Sequence, residues 1–94
     1  KAIELNSNYL DALNNLGVIY HKNQQFNDAM ELYNRIVNID SNYGRVYGNI
    51  GMIYHQQNNL PEAKKYYEIS MRLEPGNETI RKNYQVLLKS MGPR

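Results

Sequence analysis

The stretch Leu13-Asn14-Asn15-Leu16-Gly17-Val18-Ile19-Tyr20 decides how this chain folds. It returns thirty-four residues later as Tyr47-Gly48-Asn49-Ile50-Gly51-Met52-Ile53-Tyr54. Working outward, the same shift pairs His21 with His55, Ala29 with Ala63 and Tyr33 with Tyr67. Residues 3–9, 37–43 and 71–77 are three copies of a connecting segment in the same register. Self-similarity at a fixed period of this length is the signature of a repeat architecture, in which each unit buries its apolar face against the next.

Each unit divides into two helical patterns. Leu10, Leu13, Leu16, Gly17 and Tyr20 recur at helical spacing, a break follows at Gln24-Gln25, and Phe26, Ala29, Met30, Tyr33, Ile36 and Val37 resume it. The second unit repeats this with Tyr47, Ile50, Gly51 and Tyr54, a break at Asn58-Asn59, then Leu60, Ala63, Tyr66, Tyr67 and Ser70. Pro61 falls in a first helical turn, where a missing N–H is harmless. Ser7, Ser41 and Asn77 are expected N-caps. Pro75-Gly76 separates helices, and residues 78–91 form a last one, with Ile80, Tyr84, Leu87, Leu88 and Met91 apolar and Gly92-Pro93 ending it. Gly17 and Gly51 let a facing helix come close, with Ala29 and Ala63 as the small surface opposite. Glycine inside a helix costs about 0.5–1 kcal/mol relative to alanine, so close packing must offset it.

This pattern resembles the tetratricopeptide repeat family, whose hallmark is W-x2-L-G-x2-Y followed by A-x3-F-x2-A and a closing proline. The first unit supplies Leu13, Leu16, Gly17, Tyr20, Ala29, Tyr33, Ile36 and Ser41; the second supplies Tyr47, Ile50, Gly51, Tyr54, Ala63, Tyr67, Ser70 and Pro75. Ile36 stands where alanine is usual. The resemblance implies an all-α fold, a right-handed solenoid of antiparallel helix hairpins filling one domain over residues 1–94. Residues 1–6 read as the tail of a preceding repeat, 10–43 and 44–77 as full repeats, and 78–91 as a capping helix or truncated third repeat. Arg81 and Gln85 replace the large apolar residue and the glycine of the pattern there, giving that helix a polar face.

Composition removes several classes of function. Net charge is +2 and cysteine is absent, so disulfides and thiolate metal sites are excluded and no strong electrostatic partner, nucleic acid included, is indicated. No apolar run approaches a membrane span and no signal peptide is visible. An intracellular site, cytoplasmic or nuclear, is the expectation. No nucleophile–base pair and no glycine-rich phosphate loop appears, so the chain reads as a non-enzyme without a cofactor. His21 and His55 recur at one register position, but no carboxylate or cysteine set completes a metal site, and they read as solvated groove-edge residues.

In a stack of hairpins the first helix of each pair lines a concave face. The stripe at i, i+4, i+7 and i+11 holds Asp11, Asn15, Val18 and Lys22, then Arg45, Asn49, Met52 and Gln56, then Thr79, Asn83, Val86 and Ser90. Beside it run Asn14 and His21, then Gly48 and His55, then Lys82 and Lys89. Asparagine recurs on one rung as Asn15, Asn49 and Asn83, and a primary amide can pair with both the N–H and the C=O of an extended peptide. This resembles the asparagine ladder of peptide-binding tetratricopeptide superhelices, including those of O-GlcNAc transferases. The expected peptide-binding residues are therefore Asn15, Asn49, Asn83, Asp11, Asn14, Val18, Arg45, Met52 and Lys82. A carboxylate clamp of the chaperone-tail type is disfavoured, because Thr79 and Asn83, or Asn49, stand where its basic residues would fall.

The expected function is a scaffold binding a protein or peptide segment, with a substrate-recruiting arm of a larger enzyme or a self-association module as alternatives. The apolar strip Ala2, Ile3 and Leu5 is expected to leave a repeat end open, favouring homo-oligomers.

Overall fold

The computed structural model describes residues 7–92, and these are helical throughout apart from short connections. Five helices run in order: α1 (Ser7–Lys22), α2 (Phe26–Ile39), α3 (Gly44–Gln56), α4 (Leu60–Leu73) and α5 (Glu78–Met91). They form two compact units, divided between Asn42 and Tyr43. The first unit is the α1–α2 hairpin; in the second, α3 and α4 form the equivalent hairpin and α5 packs mainly on α4. The tail expected over residues 1–6, with its apolar strip, lies outside the described residues.

Both hairpin turns are built alike. Gln24 and Asn58, thirty-four positions apart, adopt left-handed backbone with φ of 66° and 63°. The Gln25 N–H donates to the Tyr20 carbonyl and the Gln24 N–H to that of His21, at 2.8 and 2.9 Å; Asn59 and Asn58 donate to Tyr54 and His55 at 2.8 and 3.0 Å. These paired bonds close the helix ends as Schellman motifs, satisfying carbonyls that a helix terminus otherwise leaves open.

The expected N-caps divide. The Asn77 Oδ1 accepts the Ile80 N–H at 3.3 Å, capping α5. Ser41 does not cap α3: that helix begins at Gly44 with Tyr43 in the capping position and no side-chain cap bond. The register explains this, since Asn77 corresponds to Tyr43, whereas Ser41 corresponds to Pro75. Asp40 turns the chain first, its Oδ1 accepting the Asn42 N–H at 3.0 Å. The side chain of Ser7 lies outside the described residues.

The glycines seat rings as well as backbones. A β-carbon at Gly51 would lie 2.7 Å from Tyr67 Cδ1 and 3.3 Å from the Ala63 carbonyl oxygen. At Gly17 the corresponding obstacle is the ring of Tyr33. Tyr33 and Tyr67 are both buried, at 0% and 1% exposure. Thus the small residue on the first helix accommodates a tyrosine from the second, and Ala29 and Ala63, both fully buried, let the helices approach beside it. In the second unit, a β-carbon on Gly48 would strike Ile80 and the Ser70 hydroxyl, so α3, α4 and α5 converge there. Buried Ser70 donates to the Gly44 carbonyl at 2.9 Å, tying α4 to the start of α3. Ala63, Tyr67, Ile80 and Leu87 form one cluster of this unit's core, with Met52, Tyr54, Leu60, Met71 and Tyr84 packed around it. Tyr66 stacks on Tyr47 and Tyr54, with centroids 6.3 and 5.6 Å apart. Tyr84 fastens α5 to α4 by donating to Glu68 Oε2 at 2.7 Å, and Lys64 donates to the same oxygen at 2.9 Å.

Candidate functional site

The helical spacing that placed the candidate stripe on one side of each first helix gives it a graded exposure. In the first unit, Asn15 is exposed and Asp11 and Val18 are half-buried, all on α1. Asn14 requires a correction: it is only 3% exposed, so its side chain presents nothing to solvent. The reason is positional. Its counterpart Gly48 sits at the buried meeting point of three helices, and this register position faces inward.

In the second unit, Arg45 and Lys82 are exposed, and Asn49, Met52 and Asn83 are half-buried. The Arg45 guanidinium donates to the Tyr43 hydroxyl at 3.2 Å and lies 5.5 Å from the centre of its ring. Met52 of α3 and Asn83 of α5 are brought together. With His55, Gln56 and Tyr67 they line one open cavity of about 210 Å³.

His55 departs from the expectation of a solvated histidine. It is half-buried, its ring meets Tyr67 edge to face at 6.0 Å between centroids, and its Nδ1 lies 3.1 Å from the Tyr67 hydroxyl. Burial pushes the Tyr67 phenol up to about 12, so it keeps its hydrogen at neutral pH. A phenol that donates to Nδ1 requires the imidazole tautomer that carries its hydrogen on Nε2. The first unit differs at the same register. The His21 ring packs edge to face on Phe26 at 5.6 Å, where the second unit has Leu60. Tyr33, pushed to about 12 by the same burial, has a hydroxyl with no hydrogen-bond partner among the described residues. The repeated His and Tyr were visible in the sequence; what was missed is that they meet across the hairpin in one unit only.

Among the described residues there is no group of three or more histidine or acidic side chains able to hold a metal ion. No described helix is long and apolar enough to cross a membrane.

Two helix hairpins in one register, each closed by a small residue under a tyrosine ring, define a helical-repeat protein. The tetratricopeptide repeat family model matches residues 8–73, and the chain belongs to the tetratricopeptide repeat family. Such repeats generally mediate protein–protein interaction. No curated protein matches the chain.

Proposed function

We propose that the chain binds an extended peptide or partner segment on the faces of its first-position helices, with Asn49 and Asn83 as amide contacts to the ligand backbone. The observation that carries this reading is the open cavity lined by Met52 and Asn83, from α3 and α5. Asn15, Asp11 and Val18 occupy the equivalent register positions on α1 of the first unit, and Arg45 and Lys82 are exposed contacts in the second. The role is binding and not catalysis, in keeping with a family that is typically a non-catalytic interaction module. A place as the recruiting arm of a larger enzyme is compatible with this role. A cysteine-free chain suits a reducing, cytoplasmic or nuclear setting.

The test is to select peptides from a displayed random library and map the tightest binder by NMR on the isotope-labelled chain. Perturbation centred on Asn49, Met52 and Asn83 supports the reading; perturbation confined to α2 or α4 overturns it.

A second reading, self-association, rests on a different face. On α1, Tyr9, Leu16 and Ile19 are 48%, 40% and 53% exposed, whereas Ile50 and Ile53, the counterparts of Leu16 and Ile19 on α3, are 2% and 1% exposed. Covering such a face with a second copy removes apolar surface from water. Light scattering across a concentration series tests it: a mass that rises with concentration supports the reading, and a constant monomer mass sinks it.

A further inference from the structure

The cavity beneath α3 has a chemistry of its own. Its lining is Met52, His55, Gln56, Tyr67 and Asn83, a set with no carboxylate, lysine or arginine. Every polar group in it is neutral when His55 is the neutral imidazole. The Tyr67 hydroxyl, itself buried, holds His55 by Nδ1 at 3.1 Å. That bond fixes which nitrogen carries the hydrogen: were Nδ1–H the donor, the phenol hydrogen would need another acceptor, and burying a donor without one is costly. His55 therefore offers Nε2–H, a donor, and Asn83 offers an amide that can both donate and accept. The Met52 thioether supplies an adaptable apolar wall.

From this arrangement we propose that the cavity is a side-chain subsite for a carboxamide, the glutamine or asparagine of a bound peptide, with His55 as its hydrogen-bond donor and Tyr67 as the residue that positions His55. The proposal rests on the groove reading above and specifies its ligand. Moving a carboxylate into a cavity without a lining cation costs far more desolvation than moving a neutral amide there. An aliphatic side chain of the same size would leave the His55 and Asn83 groups unpaired. A carboxamide avoids both penalties: its carbonyl accepts from His55 Nε2–H, its NH2 donates to the Asn83 carbonyl, and its methylenes lie along Met52. The first unit lacks this subsite because His21 is packed against Phe26 and its tyrosine is not bonded to it.

Propionamide, the free end of a glutamine side chain, is the probe, and propionate is its charged isostere. Each is titrated into the isotope-labelled chain, following the His55 ring, the Asn83 side-chain amide and the Met52 methyl by NMR. The expected result is saturable movement of all three with propionamide, and binding of propionate weaker by about tenfold or more. Tyr67→Phe should weaken propionamide by about threefold to tenfold and change the nitrogen-15 pattern of the His55 ring from a single tautomer to a mixture, a readout that loss of packing would not give. His55→Ala should abolish the preference for amide over carboxylate. The proposal is overturned if propionamide moves none of the three signals, if propionate binds equally well, or if Tyr67→Phe leaves the tautomer unchanged. A library-selected peptide that maps to Asn49 and Asn83 but carries no preference for Gln or Asn would overturn the carboxamide subsite while leaving the groove standing. A peptide that maps elsewhere would overturn both.

Discussion

The Tyr67 hydroxyl reaches Nδ1 of His55 at 3.1 Å, while Tyr33, its counterpart thirty-four residues earlier, is buried with an unpartnered hydroxyl. Equal sequence has produced unequal bonding, and the two tyrosines should respond differently to loss of oxygen. Tyr33→Phe removes a buried polar atom that gains nothing, so stability should be unchanged or slightly increased. Tyr67→Phe deletes a made hydrogen bond and should cost about 0.5–1.5 kcal/mol. Urea unfolding of the two variants beside the parent checks this; equal losses would show that the two sites are bonded alike.

The glycine under each ring gives a second contrast. At Gly51 a side chain collides with Tyr67 and comes within 3.3 Å of the Ala63 carbonyl oxygen. Gly51→Leu should therefore overpack the hairpin and cost about 1–3 kcal/mol. Gly76 has nothing within 4 Å of the position a β-carbon would take, so Gly76→Ala should be neutral or mildly stabilising. Thermal melts decide it; a Gly51→Leu variant that melts with the parent would remove the close-approach argument.

Gln24 holds a left-handed conformation that its branched-off β-carbon disfavours, whereas Asn58 at the equivalent turn is a residue type that tolerates it. Gln24→Gly should stabilise the chain by about 0.5–1 kcal/mol, and Asn58→Gly by less. A denaturation midpoint that falls with Gln24→Gly would contradict the account of the turn.

Alkaline pH should act through the buried phenols. Tyr33 and Tyr67 are pushed from the ordinary value of 10 to about 12 by burial, and Tyr84 is raised by its hydrogen bond to the Glu68 carboxylate. A folded-state value above the unfolded one means that this stabilisation is complete below pH 10 and is lost as pH rises toward 12. Phenolate absorbance during an alkaline titration should show Tyr33 and Tyr67 ionising late, together with loss of helicity. Early ionisation of both, with helicity retained, would contradict their burial.

The hairpins were legible in the sequence because their determinants are local and repeated: Gly17 and Gly51, Ala29 and Ala63, and the breaks that became the left-handed turns at Gln24 and Asn58. Ser41 misled because serine is a good cap by type, while the turn made by Asp40 delays α3 to Gly44. Asn14 misled for a related reason. A polar residue reads as exposed, but its burial is set by the helix face it occupies, and the glycine one repeat later hid that face's inward direction. The His55–Tyr67 bond was illegible because it depends on a third residue: Phe26 engages the histidine in the first unit, and Leu60 offers no ring to do so in the second.

The proposed hold of Asn49 and Asn83 on a ligand backbone is checked by the dissociation constant of a library-selected peptide for the Asn49→Ala/Asn83→Ala double variant. Losing two amide contacts should weaken binding by about tenfold or more, with helicity and melting temperature close to the parent's because neither residue belongs to the buried core. An unchanged Kd in a variant that remains folded would show that neither amide holds the ligand.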